Sequence, residues 1–336
     1  MLEYNYIYKG IRYIEGKMQI DMSKTNSIRK AFGKTLAIVG ELNENVVVLD
    51  ADLACSTQTK IFQDKFPNRF FDCGIAEQDM IATAAGLAAA SKTVFAASFA
   101  VFATGRTYDQ IRNSVCYSNL DVKIIGTHGG ITVGEDGATH QALEDISLMR
   151  GLPHMSVIVP ADSKECEEVI KYAATHKGPM YIRIARSNVP DIFDDTYNFD
   201  FKKAIVLEDG NDITIFTNGE TLSEVIIAAQ ELKKDNISVR IVNVPVVKPL
   251  DENTIIESAQ KSKFVVSVEN HSIIGGLGTA ICETLSAHYP TKVYRIGIED
   301  EFGQSGEAKE LLKHYGLDSE SLIKQIKTLY KKELNN

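Results

Sequence analysis

Short apolar runs of strand length alternate with longer segments of helical periodicity along most of the chain. Runs such as 46–49, 93–97 and 122–127 are each followed by residues whose apolar positions recur with the spacing of one helix face. Alternation of strands and helices in this manner predicts a mostly parallel sheet covered by helices on both faces.

The pattern lapses over 191–203, a stretch rich in Asp and Asn that predicts a linker. We therefore expect an α/β protein of two doubly wound domains, the first over 23–190 and a smaller second one over 204–336. The chain length of 336 residues suits two domains. Residues 1–22 lack the pattern and are expected to form an N-terminal extension.

Composition narrows the possible functions. The chain has 36 basic and 45 acidic residues and a net charge of -9, which argues against a protein that neutralises the phosphates of a nucleic acid. Five widely spaced cysteines without a C-x-x-C pair favour a reducing cytoplasm over a disulfide framework or a zinc site. Between residues 80 and 105 only Lys92 is charged, but small residues dominate, so a packed helix and a buried strand are expected rather than a membrane span.

Candidate chemistry is concentrated between Asp72 and Arg186. Glu77 follows a predicted strand and falls in the first turn of an Ala-rich helix, at the sheet edge where α/β proteins bind ligands. An acid in a first turn is also typical of simple helix-dipole stabilisation. The segment 127–141 sets two His and two acids among four glycines, and long glycine-rich loops with convergent polar groups favour a functional site.

One glycine-rich turn leaves two interpretations open. Residues 275–278, Gly-Gly-Leu-Gly, follow a predicted strand and open a helix. They predict either a tight turn or an anion site at a helix N-terminus, although the spacing of a dinucleotide-binding motif is missing. No metal-ligand spacing such as H-E-x-x-H occurs, so no metal site is expected on this chain.

Several segments, taken in order, resemble the C-terminal half of transketolase, a thiamine-diphosphate enzyme. The resemblance covers nearly everything from Ser23 to about Leu329. Its segments are 29–31, 50–56, Gly74-Ile75-Ala76-Glu77-Gln78, 99–102, 108–112, 134–140, Arg186, 269–278 and 302–306.

This resemblance implies that the first domain binds the pyrimidine ring of thiamine diphosphate and that the second is a transketolase C-terminal domain. Glu77 matches the carboxyl group that acts on the ring nitrogen N1′, and it is expected to be catalytic together with His140. Phe102 matches the aromatic residue that stacks on the pyrimidine. The expected cofactor-binding residues are Glu77, Phe99, Phe102, Asp52 and Arg106.

The resemblance also implies that a two-carbon ketol unit passes from a ketose to an aldose. Arg29, Ser56, His128 and Arg186 match positions that hold the sugar phosphate, and Asp136 and His140 match groups that contact substrate hydroxyls. In one respect the chain departs from the family. Phe102 stands six residues before Tyr108, one more than in several relatives, and Gly105 in this interval leaves the orientation of Arg106 open.

A larger departure is the lack of a Gly-Asp-Gly sequence, since that motif holds the diphosphate and Mg²⁺ in the family. The resemblance therefore implies a partner, an N-terminal transketolase subunit that carries this motif and holds most of the magnesium contacts. An α2β2 assembly acting on small sugars or sugar phosphates is expected.

Three alternatives compete with a split transketolase. The β subunit of a 2-oxoacid dehydrogenase shares the two-domain layout, but it would show a His-Ser-Gln segment within 128–141, where Glu135 to His140 read otherwise. Deoxyxylulose-phosphate synthase shares the Tyr-Asp-Gln at 108–110, but it is a longer chain. A non-catalytic regulatory subunit would not need Glu77, His140 and the other matched side chains.

Overall fold

The computed structural model describes residues 13–14, 17–18 and 24–334. Most of the predicted extension 1–22 lies outside the described residues. The strands are β1 Tyr13–Ile14, β2 Lys17–Met18, β3 Thr25–Ser27, β4 Val46–Asp50, β5 Phe70–Asp72, β6 Thr93–Phe99, β7 Val122–Thr127, β8 Ser156–Ile158, β9 Met180–Ile184, β10 Asn188–Pro190, β11 Ile205–Glu208, β12 Ile213–Thr217, β13 Val239–Asn243, β14 Val246–Lys248, β15 Phe264–Ser272 and β16 Val293–Ile298.

Helices follow most of these strands. The α-helices are α1 Ile28–Leu42, α2 Ala54–Thr57, α3 Lys60–Lys65, α4 Glu77–Ala89, α5 Tyr108–Gln110, α6 Asp145–Arg150, α7 Ser163–Thr175, α8 Thr221–Lys234, α9 Glu252–Gln260, α10 Leu277–His288, α11 Ala308–His314 and α12 Ser319–Leu334. Two π-helical turns (Phe102–Arg106 and Ile111–Cys116) and two 3-10 helices (Pro67–Arg69 and Ile131–Asp136) complete the set.

Two sheets confirm the expected α/β architecture. The larger has the strand order β14-β8-β9-β7-β6-β4-β5, and the smaller has the order β11-β13-β12-β15-β16. All neighbours within the two sheets are parallel except the pairs β14–β8 and β11–β13. Each sheet therefore carries one antiparallel strand at its edge, and the doubly wound description holds for both.

The helices begin where local chemistry favours it. Ser27 precedes α1 and its side chain accepts a hydrogen bond from the Lys30 N–H, while Asp162 caps α7 in the same way through the Glu165 N–H. In α1 the residues Ile28, Phe32 and Leu36 recur every fourth position and are completely buried. Their apolar stripe faces the core.

Several residues within the predicted linker, 191–203, are buried rather than solvated. Ile192 and Phe193 are buried, and their N–H groups donate to Asp162 Oδ2 at 2.7 and 2.8 Å. Beyond the linker, β14 crosses back to pair with β8, with Val246 opposite Ile158. The smaller domain thus contributes a strand to the larger sheet, and the boundaries at 190 and 204 stay predictions.

Sequence periodicity did not predict three elements of the second domain, α12, β14 and β11. Helix α12 follows α11, and its Leu322 and Ile326 are fully buried. Strand β14 has only three residues. The edge strand β11 was also not predicted, because it has only four residues and alternates between buried and half-buried positions. No helix within the described residues is long and apolar enough to span a membrane.

A buried carboxyl group joins the two domains and the linker. Glu165 in α7 accepts hydrogen bonds from Tyr197 Oη at 2.7 Å, Asn243 Nδ2 at 2.9 Å and the Ala161 N–H at 2.7 Å. Burial raises the pKa of Glu165 to about 8 despite these donors. The folded protein therefore keeps a proton there near neutral pH that the unfolded chain releases.

We expect this proton to make the free energy of unfolding fall as pH rises towards 8. Between the carboxyl pKa of the unfolded chain and that of the folded protein, the free energy of unfolding falls by about 1 kcal/mol per pH unit for one proton. Urea unfolding at pH 6.5, 7.5 and 8.5 measures the slope. The Glu165→Gln variant cannot release a proton and should lose this part of the slope; equal slopes for the two proteins would contradict the prediction.

Candidate active site

The sequence-predicted side chains gather at one edge of the large sheet. Most of them follow the carboxyl end of a parallel strand, and these ends lie side by side in an open α/β sheet. Arg29 instead lies in the first turn of α1, after β3. Ser56 and Asp52 follow β4, Glu77 follows β5, Phe99 and Phe102 lie at the end of β6, His128 follows β7, and Arg186 follows β9.

Glu77 lies in the first turn of α4 and is almost completely buried, with a side-chain exposure of 2%. Both carboxylate oxygens accept hydrogen bonds from Arg106 Nη1, at 2.7 and 2.8 Å. The arginine side chain is 44% exposed. The ion pair therefore has one buried member and one that reaches solvent.

Arg106 also lies on an aromatic ring. Its guanidinium carbon is 4.3 Å from the ring centroid of Phe102, a cation–π contact. Both residues belong to the π-helical turn Phe102–Arg106, which includes Gly105. A π-helical turn takes up more residues than an α-helical one, and from this turn Arg106 is oriented towards Glu77.

Aromatic and imidazole rings continue from this point into the site. The rings of Phe99 and Phe102 are nearly parallel, with centroids 6.1 Å apart, and His128 stacks on Phe99 at 3.8 Å. His140 meets Phe102 edge-on at 5.3 Å, and its Nδ1 lies 2.9 Å from Thr139 Oγ1. The predicted catalytic His140 therefore shares one aromatic wall with the predicted pyrimidine-stacking residue.

Four predicted substrate residues converge beside that wall. Arg29 Nη1 donates to the Ser56 carbonyl at 2.6 Å, and Nη2 donates to the Arg186 carbonyl at 3.3 Å. Burial and the charge of Arg186 lower the pKa of Arg29. The Nε of Arg29 is buried and has no hydrogen-bond partner within residues 24–334. An unpaired buried donor next to a second guanidinium suits an anionic ligand.

His128 is neutral in this setting. Burial lowers its pKa to about 3, and the positive charges of Arg29 and Arg186 add to the effect. Its backbone has a positive φ of 59°, an uncommon conformation for a side chain other than glycine and one that often marks functional loops. A neutral imidazole can donate or accept one hydrogen bond, but it brings no charge to the cluster.

The loop that follows β7 is held by the second domain. Its 3-10 helix, Ile131–Asp136, is anchored where the Ile131 N–H donates to Asn270 Oδ1 at 3.0 Å and Thr132 Oγ1 donates to Glu220 at 2.6 Å. Gly130 has a φ of +81°, and a Cβ there would lie 2.4 Å from the Asn270 side chain. Only glycine fits this contact.

Two acids on the loop have different surroundings. Glu135 pairs with Arg186 Nη1 at 2.8 Å. A hydrogen bond from its own backbone N–H, and then this ion pair, lower the carboxyl pKa of Glu135. Asp136 is exposed, and no hydrogen bond or ion pair within residues 24–334 ties it to the other predicted residues. The structure brings Arg29, Arg186 and His128 close together, joins Ser56 to them through its backbone carbonyl and leaves Asp136 exposed.

Sequence reasoning missed two acids that shape these loops. Asp50, buried at the end of β4, accepts hydrogen bonds from the Leu53 N–H and from the hydroxyls of Thr57 and Thr59 at 2.7 to 2.8 Å. It thereby fixes the turn that carries Ser56. Asp72 accepts from the N–H groups of Asp52 and Gly74 at 3.0 and 2.9 Å. The signal was an acid at the last residue of each strand.

The glycine-rich turn at 275–278 is occupied by the protein itself. The carboxylate of Glu269 accepts hydrogen bonds from the N–H groups of Leu277 and Gly278 at 2.7 and 2.8 Å. A Cβ at Gly276 would lie 2.0 Å from Glu269 Oε2. The tight-turn interpretation is therefore correct, since a buried side chain already caps α10.

The residues around Glu77 fit a flat, cationic ring. The planar guanidinium of Arg106 contacts both the buried carboxylate of Glu77 and the ring face of Phe102. A protonated aminopyrimidine has the same combination of flat shape, positive charge and N–H donors. Within the described ranges no three His, Cys, Asp or Glu side chains form a metal site.

Comparisons with known proteins agree with this geometry. The family model described as the transketolase pyrimidine-binding domain matches residues 24–191, and the one described as the transketolase C-terminal domain matches residues 202–322. A Methanocaldococcus jannaschii protein named as a transketolase C-terminal section is 50% identical over 310 residues, which cover 91% of this chain and 97% of that protein.

Two further relatives are subunits or products of split genes. A 6-deoxy-6-sulfo-D-fructose transketolase subunit of a Clostridium strain is 38% identical over 297 residues, 88% of this chain and 92% of that protein. A solved structure titled "Split gene transketolase, inactive beta4 tetramer" has 42% identity and a TM-score of 0.83, and the match covers 93% of this chain and 99% of the other.

The fold and the two family matches define a pyrimidine-binding domain of the transketolase type, joined to a second α/β domain. The chain belongs to the transketolase family and corresponds to its C-terminal section. The resemblance inferred from the sequence is confirmed. Family membership implies a transferase that uses thiamine diphosphate, while the roles of the individual site residues stay predictions.

Proposed function

We propose that this chain is the C-terminal subunit of a split transketolase, active together with an N-terminal subunit that binds the diphosphate. The observation that carries the proposal is the buried carboxylate of Glu77, which Arg106 joins to the ring of Phe102, at the same sheet edge as the guanidinium groups of Arg29 and Arg186. A purely regulatory subunit would not need a buried carboxylate at the edge of the sheet where α/β proteins bind ligands.

Within this proposal Glu77, Phe102, Phe99 and Asp52 hold the pyrimidine half of the cofactor. When bound, thiamine diphosphate supplies the nucleophile and the electron sink for breaking a carbon–carbon bond next to a ketose carbonyl. Glu77 holds the ring nitrogen through a hydrogen bond and exchanges a proton with it. Because Glu77 is buried, water does not compete for that contact.

The anionic end of the sugar binds to Arg29, Arg186, Ser56 and neutral His128. Guanidinium groups are well suited to phosphate or sulfonate oxygens because they donate two parallel hydrogen bonds. A relative named for a sulfonated ketose supports an anionic substrate here. His140, which lies against Phe102, and the exposed Asp136 would contact hydroxyl groups of the two-carbon unit that is transferred.

Assembly is the second part of the proposal. The sequence contains no Gly-Asp-Gly, and relatives of similar length are described as a subunit, as a C-terminal section or as the product of a split gene. We infer a cytoplasmic α2β2 complex whose N-terminal subunit holds Mg²⁺ and the diphosphate. The family matches to transketolase domains favour this over the β subunit of a 2-oxoacid dehydrogenase or a deoxyxylulose-phosphate synthase.

Reconstitution tests the proposal directly. The purified chain alone should bind thiamine diphosphate weakly in calorimetry and should not transfer a ketol unit, because half of the cofactor site is missing. Adding the N-terminal subunit with Mg²⁺ should produce both tight binding and activity on a ketose phosphate and an aldose. Tight cofactor binding by the isolated chain, or an inactive complex that binds no cofactor, would contradict the split-enzyme function.

A further inference from the structure

Arg106 occupies the two contacts that a pyrimidine ring would need. Its planar guanidinium lies over the face of Phe102, and Nη1 donates to both oxygens of Glu77. A protonated aminopyrimidine and a guanidinium are both flat cations with N–H groups at their edges, so they compete for the same carboxylate and the same aromatic face.

The arginine reaches this position from a π-helical turn, Phe102–Arg106. Gly105 lies within that turn, and a Cβ at that position would meet no atom within 4 Å. Packing therefore does not require a glycine there. The hydroxyls of Thr104 and Thr107 donate to the Ala100 and Ala103 carbonyls at 2.7 and 2.6 Å, which helps to satisfy the backbone around the widened turn.

The solvent exposure of the two side chains determines which member of the Glu77–Arg106 ion pair can move away. The side chain of Glu77 is 2% exposed and that of Arg106 is 44% exposed. A half-exposed arginine can move into water at little cost, because partly solvated ion pairs are weak. A buried carboxylate left without a donor is costly, so the arginine leaves readily only when another cation takes its place.

We infer that Arg106 is an internal stand-in for the aminopyrimidine, and that cofactor binding displaces it from Glu77 and Phe102. This inference rests on the proposed function. It differs from the direct cofactor contact expected for Arg106 from the sequence, because here the arginine competes with the cofactor. Until displacement it keeps the carboxylate paired and the aromatic face covered in the free chain.

Cofactor affinity of the reconstituted two-subunit enzyme tests the competition. Arg106→Met removes the charge but keeps a long apolar side chain, and it should tighten the dissociation constant for thiamine diphosphate about 10-fold, the low end for a charged hydrogen bond. Arg112→Met, an exposed arginine of the following π turn that donates to Asn113, is the matched control and should leave the constant within about 2-fold of wild type.

Weaker or unchanged binding by Arg106→Met would overturn the inference, whereas a wild-type complex that binds no cofactor would overturn the proposed function instead. A second measurement avoids the variant altogether. In ¹⁵N-arginine spectra the Arg106 guanidinium protons should exchange slowly in the free chain and quickly once the partner subunit and cofactor are added. Slow exchange that persists in the loaded complex would show that Arg106 is not displaced.

Discussion

Replacing Glu77 with Gln is expected to lower kcat for ketol transfer in the reconstituted enzyme by about 10²-fold to 10⁴-fold, the usual contribution of an essential acid or base. The amide has the same shape, so the fold and the first turn of α4 should persist. What is lost is a group that can exchange a proton with the ring nitrogen. Steady-state rates at saturating cofactor measure the effect.

The neighbouring acid provides a matched control for this prediction. Asp79 shares the first turn of α4 with Glu77 but is exposed. If Glu77 acted only by stabilising the helix dipole, Asp79→Asn would lower kcat by about as much as Glu77→Gln. We expect Asp79→Asn to stay within a few-fold of wild type. Similar losses for the two variants, or a small loss for Glu77→Gln, would assign the proton transfer elsewhere.

Arg186→Ala is expected to raise KM for a phosphorylated ketose by about 10-fold to 150-fold, as the loss of a charged hydrogen bond predicts. kcat should change little, since the hydrogen bonds of the Arg186 side chain go to Val133 and Glu135 and not to Glu77. A donor without the anionic group never used the contact, so its KM should be nearly unchanged. Kinetics with the charged and the uncharged donor measure the difference.

A variant of Glu135, the ion-pair partner of Arg186, should have the opposite effect on KM. Glu135→Gln removes the carboxylate that lies 2.8 Å from Arg186 and leaves the guanidinium free for the substrate. KM for the phosphorylated donor should therefore stay the same or fall. Equal KM increases for charged and uncharged donors in Arg186→Ala would instead indicate a structural role, because Arg186 also donates to the Val133 carbonyl at 2.5 Å.

The arrangement of catalytic candidates along the sheet edge was predictable because parallel strands end on the same side. Glu77, His128 and Arg186 each follow a recognisable apolar run, so their grouping follows from topology alone. Other parts of the fold were not predictable, because their local sequence patterns are weak. The short strand β14 carries no distinctive pattern, and its pairing with β8 depends on contacts between segments far apart in the chain.

By itself, the sequence determined the α/β class and the alternation of elements, because buried positions recur with the period of a strand or a helix. Its motifs determined the family. Only the tertiary structure determined which charged side chains are in contact. Arg106 contacts Glu77 from a π-helical turn, and the neutral state of His128 depends on burial near two arginines. Such contacts arise between distant segments, and local periodicity contains no information about them.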